Sequence, residues 1–425
     1  MKKVNLVLAA AIAAAGITGL ATGALYPVPA VAADKAPPPP KVSASLFKPL
    51  KAAQEALAAK DFDAALAALK EAEAVPDKTP YDQFMIEEMT WSAYLQKKDY
   101  AASAAALEQS LNSGFLPPAD VPNRLKALTQ LNYEAKNYAK AAEFGVKYLE
   151  AAPDDSRTAL MVAHAYYMNK DYAAASALAQ KQVAKGGKPD EQMLNIWLQS
   201  DIALKNNAGA LQALETRVRY YPQQKNWADL LDNTLSVVRG DRELRDFYRL
   251  MQQTNTLTTG EDYSEAAAVI IAGGFPAEAV KILEAGLAAA VFTGDGLTRA
   301  KGDLDRARSG AAADAKELPG AAKALAAAKT GNEMVAVGKL YFSSGDYQNA
   351  ADAIQKGISK GGVSDVDDAN ALLGIALVRA GKLADAKPAL LAVQAPSLLR
   401  VTRLWVLYVD AMTAAAAPAP APTGG

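Results

Sequence analysis

The sequence lacks cysteine, contains a single histidine and is poor in aromatic residues. Aromatics make up 7% of its 425 residues although 51% are hydrophobic, so we expect a core made mainly of alanine and leucine. Such a core suits closely packed helices, whereas a β-sheet would need more Val, Ile, Thr and aromatic side chains. The absence of cysteine excludes disulfide bonds, thiolate metal sites and a lipid attached to cysteine.

Charge of one sign does not dominate either. The chain has 45 basic and 46 acidic residues and a formal net charge of −1, which gives no electrostatic basis for binding nucleic acid. Because His164 is the only histidine, a transition-metal site would need carboxylates alone. The sequence also lacks the glycine-rich phosphate-loop pattern and the His-Glu-x-x-His pattern. We therefore expect no nucleic-acid partner, no metal and no cofactor.

Residues 1–33 have the pattern of an export signal. Lys2 and Lys3 precede an apolar run from Val4 to Leu25, and a small-residue site follows at Val31-Ala32-Ala33 or at Ala30-Val31-Ala32. The run is rich in alanine and glycine and therefore weakly hydrophobic, which favours a cleaved signal and a periplasmic protein. The alternative is an uncleaved anchor in the inner membrane that faces the periplasm.

A local signature recurs along the chain, as in Lys136-Asn137-Tyr138, and predicts helix hairpins. Aromatic residues at positions 62, 100, 138 and 172 follow a short turn, and the signature returns at Tyr347. We expect each turn aromatic to be buried between helices. A small residue three positions later should lie where the two helix axes come closest. These small residues are Ala65, Ala141, Ala175, Ala350 and Ala386.

These residues resemble the tetratricopeptide repeat (TPR) family over about residues 45–412. The resemblance implies an all-α fold, an α-solenoid of stacked antiparallel helix hairpins that forms a TPR superhelix. The segments Tyr220-Tyr221-Pro222 and Lys360-Gly361-Gly362-Val363 also resemble exported proteobacterial TPR proteins, some of them associated with TonB systems. These matching residues are structural, so the resemblance assigns no functional residue.

Composition divides the chain into segments. A Pro-rich linker follows the signal, and an Ala/Pro tail, which we expect to be disordered, ends the chain. Residues 294–330 lack aromatics and predict either a loose helical pair or a flexible insertion. The predicted segments are signal peptide 1–33, linker 34–44, solenoid 45–412 and tail 413–425, with the solenoid regular over 45–224, irregular over 225–330, regular over 331–395 and capped by a helix over 396–412.

The concave face of the third and fourth hairpins is the candidate binding groove. Its mixture of cations, amides and rings suits an extended peptide. The alternative interpretation is an ordinary polar inner face with no ligand, and His164 in particular is either a ligand contact or a partly exposed polar residue. The candidate peptide-groove residues are Asn123, Lys126, Gln130, Tyr133, Arg157, His164 and Tyr167.

Two other patterns are weaker. Residues 357–361 match the Gly-x-Ser-x-Gly motif of hydrolases, but a helix and not a strand should precede Ser359, so we interpret the match as accidental. A row of arginines at 239, 242, 245 and 249 alternates with acidic residues, which is typical of a solvated helix face. The alternative for this row is a docking patch for an acidic partner.

Together these patterns predict a non-enzymatic periplasmic scaffold that binds a protein or extended peptide. Its setting would be a TonB-linked or other cell-envelope transport assembly, so the expected partner is a cell-envelope protein. The alternative is a membrane-anchored assembly factor for exported polysaccharide or outer-membrane protein. Contact with the membrane is expected only if the signal is uncleaved.

Overall fold

The computed structural model of the chain describes residues 40–416. Over that range the backbone is helical, with two short 3-10 turns and no β-strand. The first ten helices are α1 (Phe47–Ala58), α2 (Phe62–Glu73), α3 (Pro80–Gln96), α4 (Tyr100–Asn112), α5 (Val121–Glu134), α6 (Tyr138–Ala151), α7 (Ser156–Met168), α8 (Tyr172–Ala184), α9 (Glu191–Ala203) and α10 (Asn207–Tyr220). The others are α11 (Gln224–Leu235), α12 (Asp241–Gln253), α13 (Gly260–Ala272), α14 (Pro276–Ala288), α15 (Gly294–Glu317), α16 (Ala321–Ala327), α17 (Gly331–Ser344), α18 (Tyr347–Lys360), α19 (Val366–Arg379), α20 (Leu383–Leu391) and α21 (Leu399–Ala416).

Most of these helices form antiparallel hairpins that stack on one another. Helices α1 to α10 pair in sequence order, and each hairpin also packs on the next. The pairs α13 with α14, α17 with α18 and α19 with α20 continue the same arrangement. The fold is therefore an all-α solenoid of stacked helix hairpins of the TPR type, which confirms the predicted fold class.

The turn signature has a simple backbone explanation. In each of the first five hairpins a lysine adopts the left-handed conformation, with φ between 57° and 63°. In four of these hairpins the side chain of the next residue caps the second helix; the carboxylate of Asp99, for example, accepts a hydrogen bond from the backbone N–H of Ala102 at 3.1 Å. The left-handed lysines are Lys60, Lys98, Lys136, Lys170 and Lys205. In the C-terminal hairpins Gly274, Gly345 and Gly381 take their place.

The predicted alanine joints are confirmed. All five alanines are fully buried, and Ala141 packs in a cluster with Val162 of the following hairpin. A methyl group fills the space there and lets the helices approach closely, because protein interiors leave little free volume. Burial of this kind is what couples one hairpin to its neighbour.

The turn aromatics are not enclosed as the sequence suggested. They are half-buried at the edge of the stack, since the alanines already fill the joints. The rings of Tyr138, Tyr172 and Tyr347 each contact the aromatic residue that lies three positions before the left-handed residue. The ring centroids of Tyr138 and Tyr133 are 5.7 Å apart, and those of Tyr347 and Phe342 are 5.3 Å apart.

The arginine row is solvated only at its start, where Arg239 and Arg242 are exposed, so the expectation of a solvated face was wrong for its other two members. Arg245 and Arg249 are buried, as are most residues of α12. Helix α12 packs on α13 and α21, and its arginines bind carboxylates on α14 and α19. Helix α21 also packs back on α10, so the C-terminal part of the solenoid closes around α12.

Some predicted segments lie wholly or partly outside the described residues. The signal peptide, most of the Pro-rich linker and residues 417–425 of the tail are among them. Helix α21 extends to Ala416, into the predicted tail, because alanine favours helix and the first proline of the tail is Pro418. Residues 294–330 contain α15 and the short α16. None of the helices within 40–416 is long and apolar enough to cross a bilayer.

Candidate functional site

The turns define a common register for the first helix of each hairpin. In α5 the backbone N–H of Lys136 donates to the carbonyl of Tyr133, and in α7 that of Lys170 donates to Tyr167, each at 3.0 Å. The candidate residues then lie 13, 10, 6 and 3 positions before the left-handed lysine in α5, and 13, 6 and 3 positions before it in α7. Positions with this spacing share one side of a helix, so the seven residues form one continuous face. We call this face of α5, α7 and α9 the groove.

Tyr133 and His164 meet at the centre of the groove. The Tyr133 hydroxyl and His164 Nδ1 are 2.7 Å apart and form a hydrogen bond between neighbouring hairpins. Burial lowers the pKa of His164 below its ordinary value of 6.5 and raises the pKa of Tyr133 above 10. Both groups are therefore neutral at pH 7, so the centre of the groove carries no charge.

Lys126 is neutralised by the next hairpin. Its Nζ lies 2.7 Å from Oδ2 of Asp155, which also accepts a hydrogen bond from Tyr148 at 3.0 Å. Asp155 caps α7 by accepting from the backbone N–H of Thr158 at 2.9 Å. Burial raises the pKa of Asp155, but the hydrogen bonds from Lys126 and Thr158 outweigh it and hold that pKa well below 3.8. The cation predicted for ligand binding thus serves mainly to join two hairpins.

The remaining candidates have free polar groups. Asn123 and Arg157 are exposed and Gln130 is half-buried, and none of the three makes a side-chain hydrogen bond to another residue in the described range. The Tyr167 ring packs against Tyr172 with centroids 5.4 Å apart. These side chains can donate hydrogen bonds to a ligand, since nothing within 40–416 occupies them.

The groove continues onto α9, beyond the two helices on which it was predicted. Lys205 is left-handed and its N–H donates to the carbonyl of Ile202 at 3.0 Å, so Gln199 and Ile202 occupy the positions of His164 and Tyr167. Gln199 is exposed and Ile202 is 54% exposed. Counting back from the lysine of the fifth turn would have identified both residues from the sequence.

The equivalent face in the C-terminal hairpins is covered. In α19 the same four positions before Gly381 hold Asp368, Ala371, Ile375 and Val378, all of them buried. Helix α12 reaches this face, since Arg245 Nη2 lies 2.7 Å from Oδ1 of Asp368. The protein's own helix therefore occupies the position that a ligand would take at the groove.

Six buried charged residues hold α12 in place, and we call them the charged cluster. Glu278 accepts from Arg249 Nη2 at 2.7 Å and from Arg379 Nη1 at 2.6 Å. Burial raises the pKa of Glu278, but these two guanidinium groups outweigh it and lower the pKa to about 2. Three cations and three anions balance one another. The cluster consists of Arg245, Asp246, Arg249, Glu278, Asp368 and Arg379.

Ser359 lies in the last turn of α18, before Gly361, which has a φ of 82°. A helix enters the motif, as expected, and the sharp strand-to-helix turn of a hydrolase nucleophile is not formed there. Gln355 Nε2 lies 3.4 Å from its hydroxyl. Among residues 40–416 no group of three or more His, Asp or Glu side chains is placed to hold a metal ion.

Solved structures resemble this chain at low identity. A tetratricopeptide repeat protein from Parabacteroides merdae is 13% identical with a TM-score of 0.30, and the match covers 69% of this chain and 99% of that one. The C-terminal part of a TPR repeat-containing protein from Cytophaga hutchinsonii is 11% identical, with a TM-score of 0.31 and coverage of 61% and 93%. The Naa15/Naa10 structure bound to HypK-THB is 15% identical, with a TM-score of 0.41, and the match spans 82% of this chain but only 60% of that chain.

No protein-family model and no curated protein matches the sequence. At these identities and TM-scores the structural likenesses do not extend to function. The hairpins themselves, with their left-handed turns and buried alanine joints, identify the chain as an all-α solenoid of TPR-type helix pairs.

Proposed function

We propose that the chain is a non-enzymatic scaffold that binds a protein or an extended peptide in the groove. One observation carries the proposal: the groove presents amides on α5 and α9 that have no side-chain hydrogen bond within residues 40–416, and half-buried tyrosine rings on α5 and α7, whereas α12 lies against the equivalent face of α19. The same helix face is covered by the protein itself at α19 but is polar and accessible at α5, α7 and α9. The accessible part is therefore suited to an external ligand.

We further propose that the protein works in the periplasm within a cell-envelope transport assembly, of which a TonB-linked system is the narrower form. The basic start, apolar run and small-residue site of residues 1–33 support export. N-terminal sequencing of the exported protein should give a start at Ala33 or Asp34. Retention of the full-length chain in the cytoplasm would contradict the proposal.

The binding face is tested by site-specific photocrosslinking in cell envelopes. A photoreactive amino acid at Gln130 in the groove should trap a discrete protein adduct. The matched control places the same amino acid at Lys181, an exposed residue of the second helix α8. Equal adducts at both positions, or none at Gln130, would refute groove binding.

A further inference from the structure

We propose that the groove binds a proline-rich segment in the polyproline II conformation, with an apolar residue at every third position. This inference rests on the proposed function and names the partner of the same site. It starts from a ladder of three side chains, Tyr133, Tyr167 and Ile202, which lie at the same position in α5, α7 and α9. The first two rings are half-buried and Ile202 is more exposed, so all three can contact a ligand.

The spacing of the ladder matches polyproline II. Helix α5 packs directly on α7, and α7 on α9, so successive steps of the ladder are about 8–10 Å apart. A polyproline II helix advances about 3.1 Å per residue with three residues per turn, or roughly 9 Å per turn. Every third side chain of a polyproline II ligand that runs along the groove would therefore meet one step of the ladder. In a β-strand every second side chain points the same way, roughly 6.7 Å apart, which is shorter than the step of the ladder.

The chemistry of the groove agrees with that spacing. Proline lacks a backbone N–H, so a polyproline ligand offers carbonyl acceptors and needs donors from the protein. Gln130 and Gln199 lie beside the ladder, six positions before their turns, and neither side chain has a hydrogen-bond partner within residues 40–416. Proline-rich segments bind in grooves lined by aromatic rings, and they lose little conformational entropy because the polyproline II helix is already formed. The tyrosine rings of the ladder and the amides beside it provide such a lining.

The charges of the groove favour this occupant over an acidic peptide. Lys126 forms an ion pair with Asp155, and Tyr133 and His164 are neutral at pH 7. Among these residues there is therefore no free positive charge that would attract an acidic ligand to the ladder. Arg157 is exposed, but it lies ten residues from Tyr167, about 15 Å along the helix. A neutral ligand therefore fits the ladder better than a charged one.

Fluorescence anisotropy with a labelled decaproline peptide and the full chain tests the inference. Decaproline should bind, and Tyr167→Ala and Ile202→Ser should each weaken binding at least tenfold. Ile202 is exposed, so its variant removes a contact without disturbing the fold. Leu391→Ser is the matched control, because Leu391 is 58% exposed on α20 outside the groove, and it should bind as the parent does.

Two results would overturn the inference. One is the absence of decaproline binding, and the other is binding that survives both groove variants. Binding of decaglutamate that Arg157→Ala abolishes would assign the groove to acidic peptides instead. If the Gln130 crosslink still traps a protein while decaproline fails, only the inference about the partner falls. If both experiments fail, the proposed function falls with it.

Discussion

The inner faces of α7 and α19 share one register but have opposite environments. The α7 positions hold Arg157, His164 and Tyr167, which face an accessible groove, whereas the same positions in α19 are buried beneath α12. The difference comes from the side chains that each hairpin places on this face, polar in α7 and largely apolar in α19, and from α12 lying against the apolar one. A single repeat geometry can therefore build both a ligand face and a closed core, depending on whether the chain supplies its own occupant.

The two regions also differ in the range of their contacts. Helices α1 to α10 touch mainly their neighbours in sequence, as expected of a solenoid. In the C-terminal region, by contrast, Arg245 binds Asp368, which lies 123 positions further along the chain. We therefore expect the C-terminal region to unfold as one unit, while the N-terminal hairpins open more independently.

The largest effect should come from Glu278→Gln in the charged cluster. The change leaves Arg249 and Arg379 buried without a carboxylate, which we expect to destabilise the C-terminal region by about 3–5 kcal/mol. Hydrogen exchange of α12 and α19 should speed up, while that of α5 and α7 should not change.

Glu143→Gln supplies the matched control for that variant. Glu143 forms an exposed ion pair with Lys147 one turn away, so its loss should cost less than about 0.5 kcal/mol. Similar destabilisation by the two variants would show that the charged cluster does not hold the C-terminal region together.

Acid should weaken the C-terminal region through the same carboxylate. The pKa of Glu278 is about 2 in the folded protein, against an ordinary value of 4.5. Because the folded pKa is the lower one, its stabilisation is complete above pH 4.5 and is lost as the pH falls towards 2. The loss should be on the order of 3 kcal/mol.

The test compares the free energies of unfolding of the parent and Glu278→Gln across this range. The gap between them should narrow steadily from pH 4.5 to 2, because protonated Glu278 resembles glutamine. A gap that stays constant would rule out Glu278 as the titrating group.

The caps of the N-terminal hairpins should give a smaller and more local effect. Asp99→Ala removes the hydrogen bond to the backbone N–H of Ala102, which should cost about 1 kcal/mol. Asn137 occupies the same position before α6 but makes no side-chain cap, so Asn137→Ala should change stability by only a few tenths of a kcal/mol. Urea unfolding of both variants measures the difference, and equal losses would mean that the cap bond is not what stabilises the turn.

The hairpins were predictable because their signals are local. A left-handed lysine, a capping carboxylate and an alanine four positions after the cap lie within six residues, as in Lys60 to Ala65. The register of the groove follows from the same turns, so Gln199 and Ile202 were within reach of the sequence. Counting from each turn to the helix before it is enough to find them.

The closed core was not predictable in this way. The alternating charges of α12 are those of a solvated helix, and only a partner more than 100 residues away makes Arg245 a buried residue. The half-buried state of Tyr347 also depends on tertiary contacts, with Phe342 and Arg379 around it. Local patterns specify the hairpins, and distant contacts decide which of their faces become covered.

Effects as small as those of the caps are expected at the turns, where the two regions use different residues. Gly381 has a φ of 76° in the C-terminal region, and Gly381→Ala should destabilise by about 1 kcal/mol because a Cβ disfavours that conformation. Lys98 already bears a Cβ at a φ of 61°, so Lys98→Ala should leave stability almost unchanged. Thermal unfolding of the two variants side by side gives the comparison. A loss at Lys98 as large as that at Gly381 would mean that the lysine side chain, and not the backbone, stabilises the N-terminal turns.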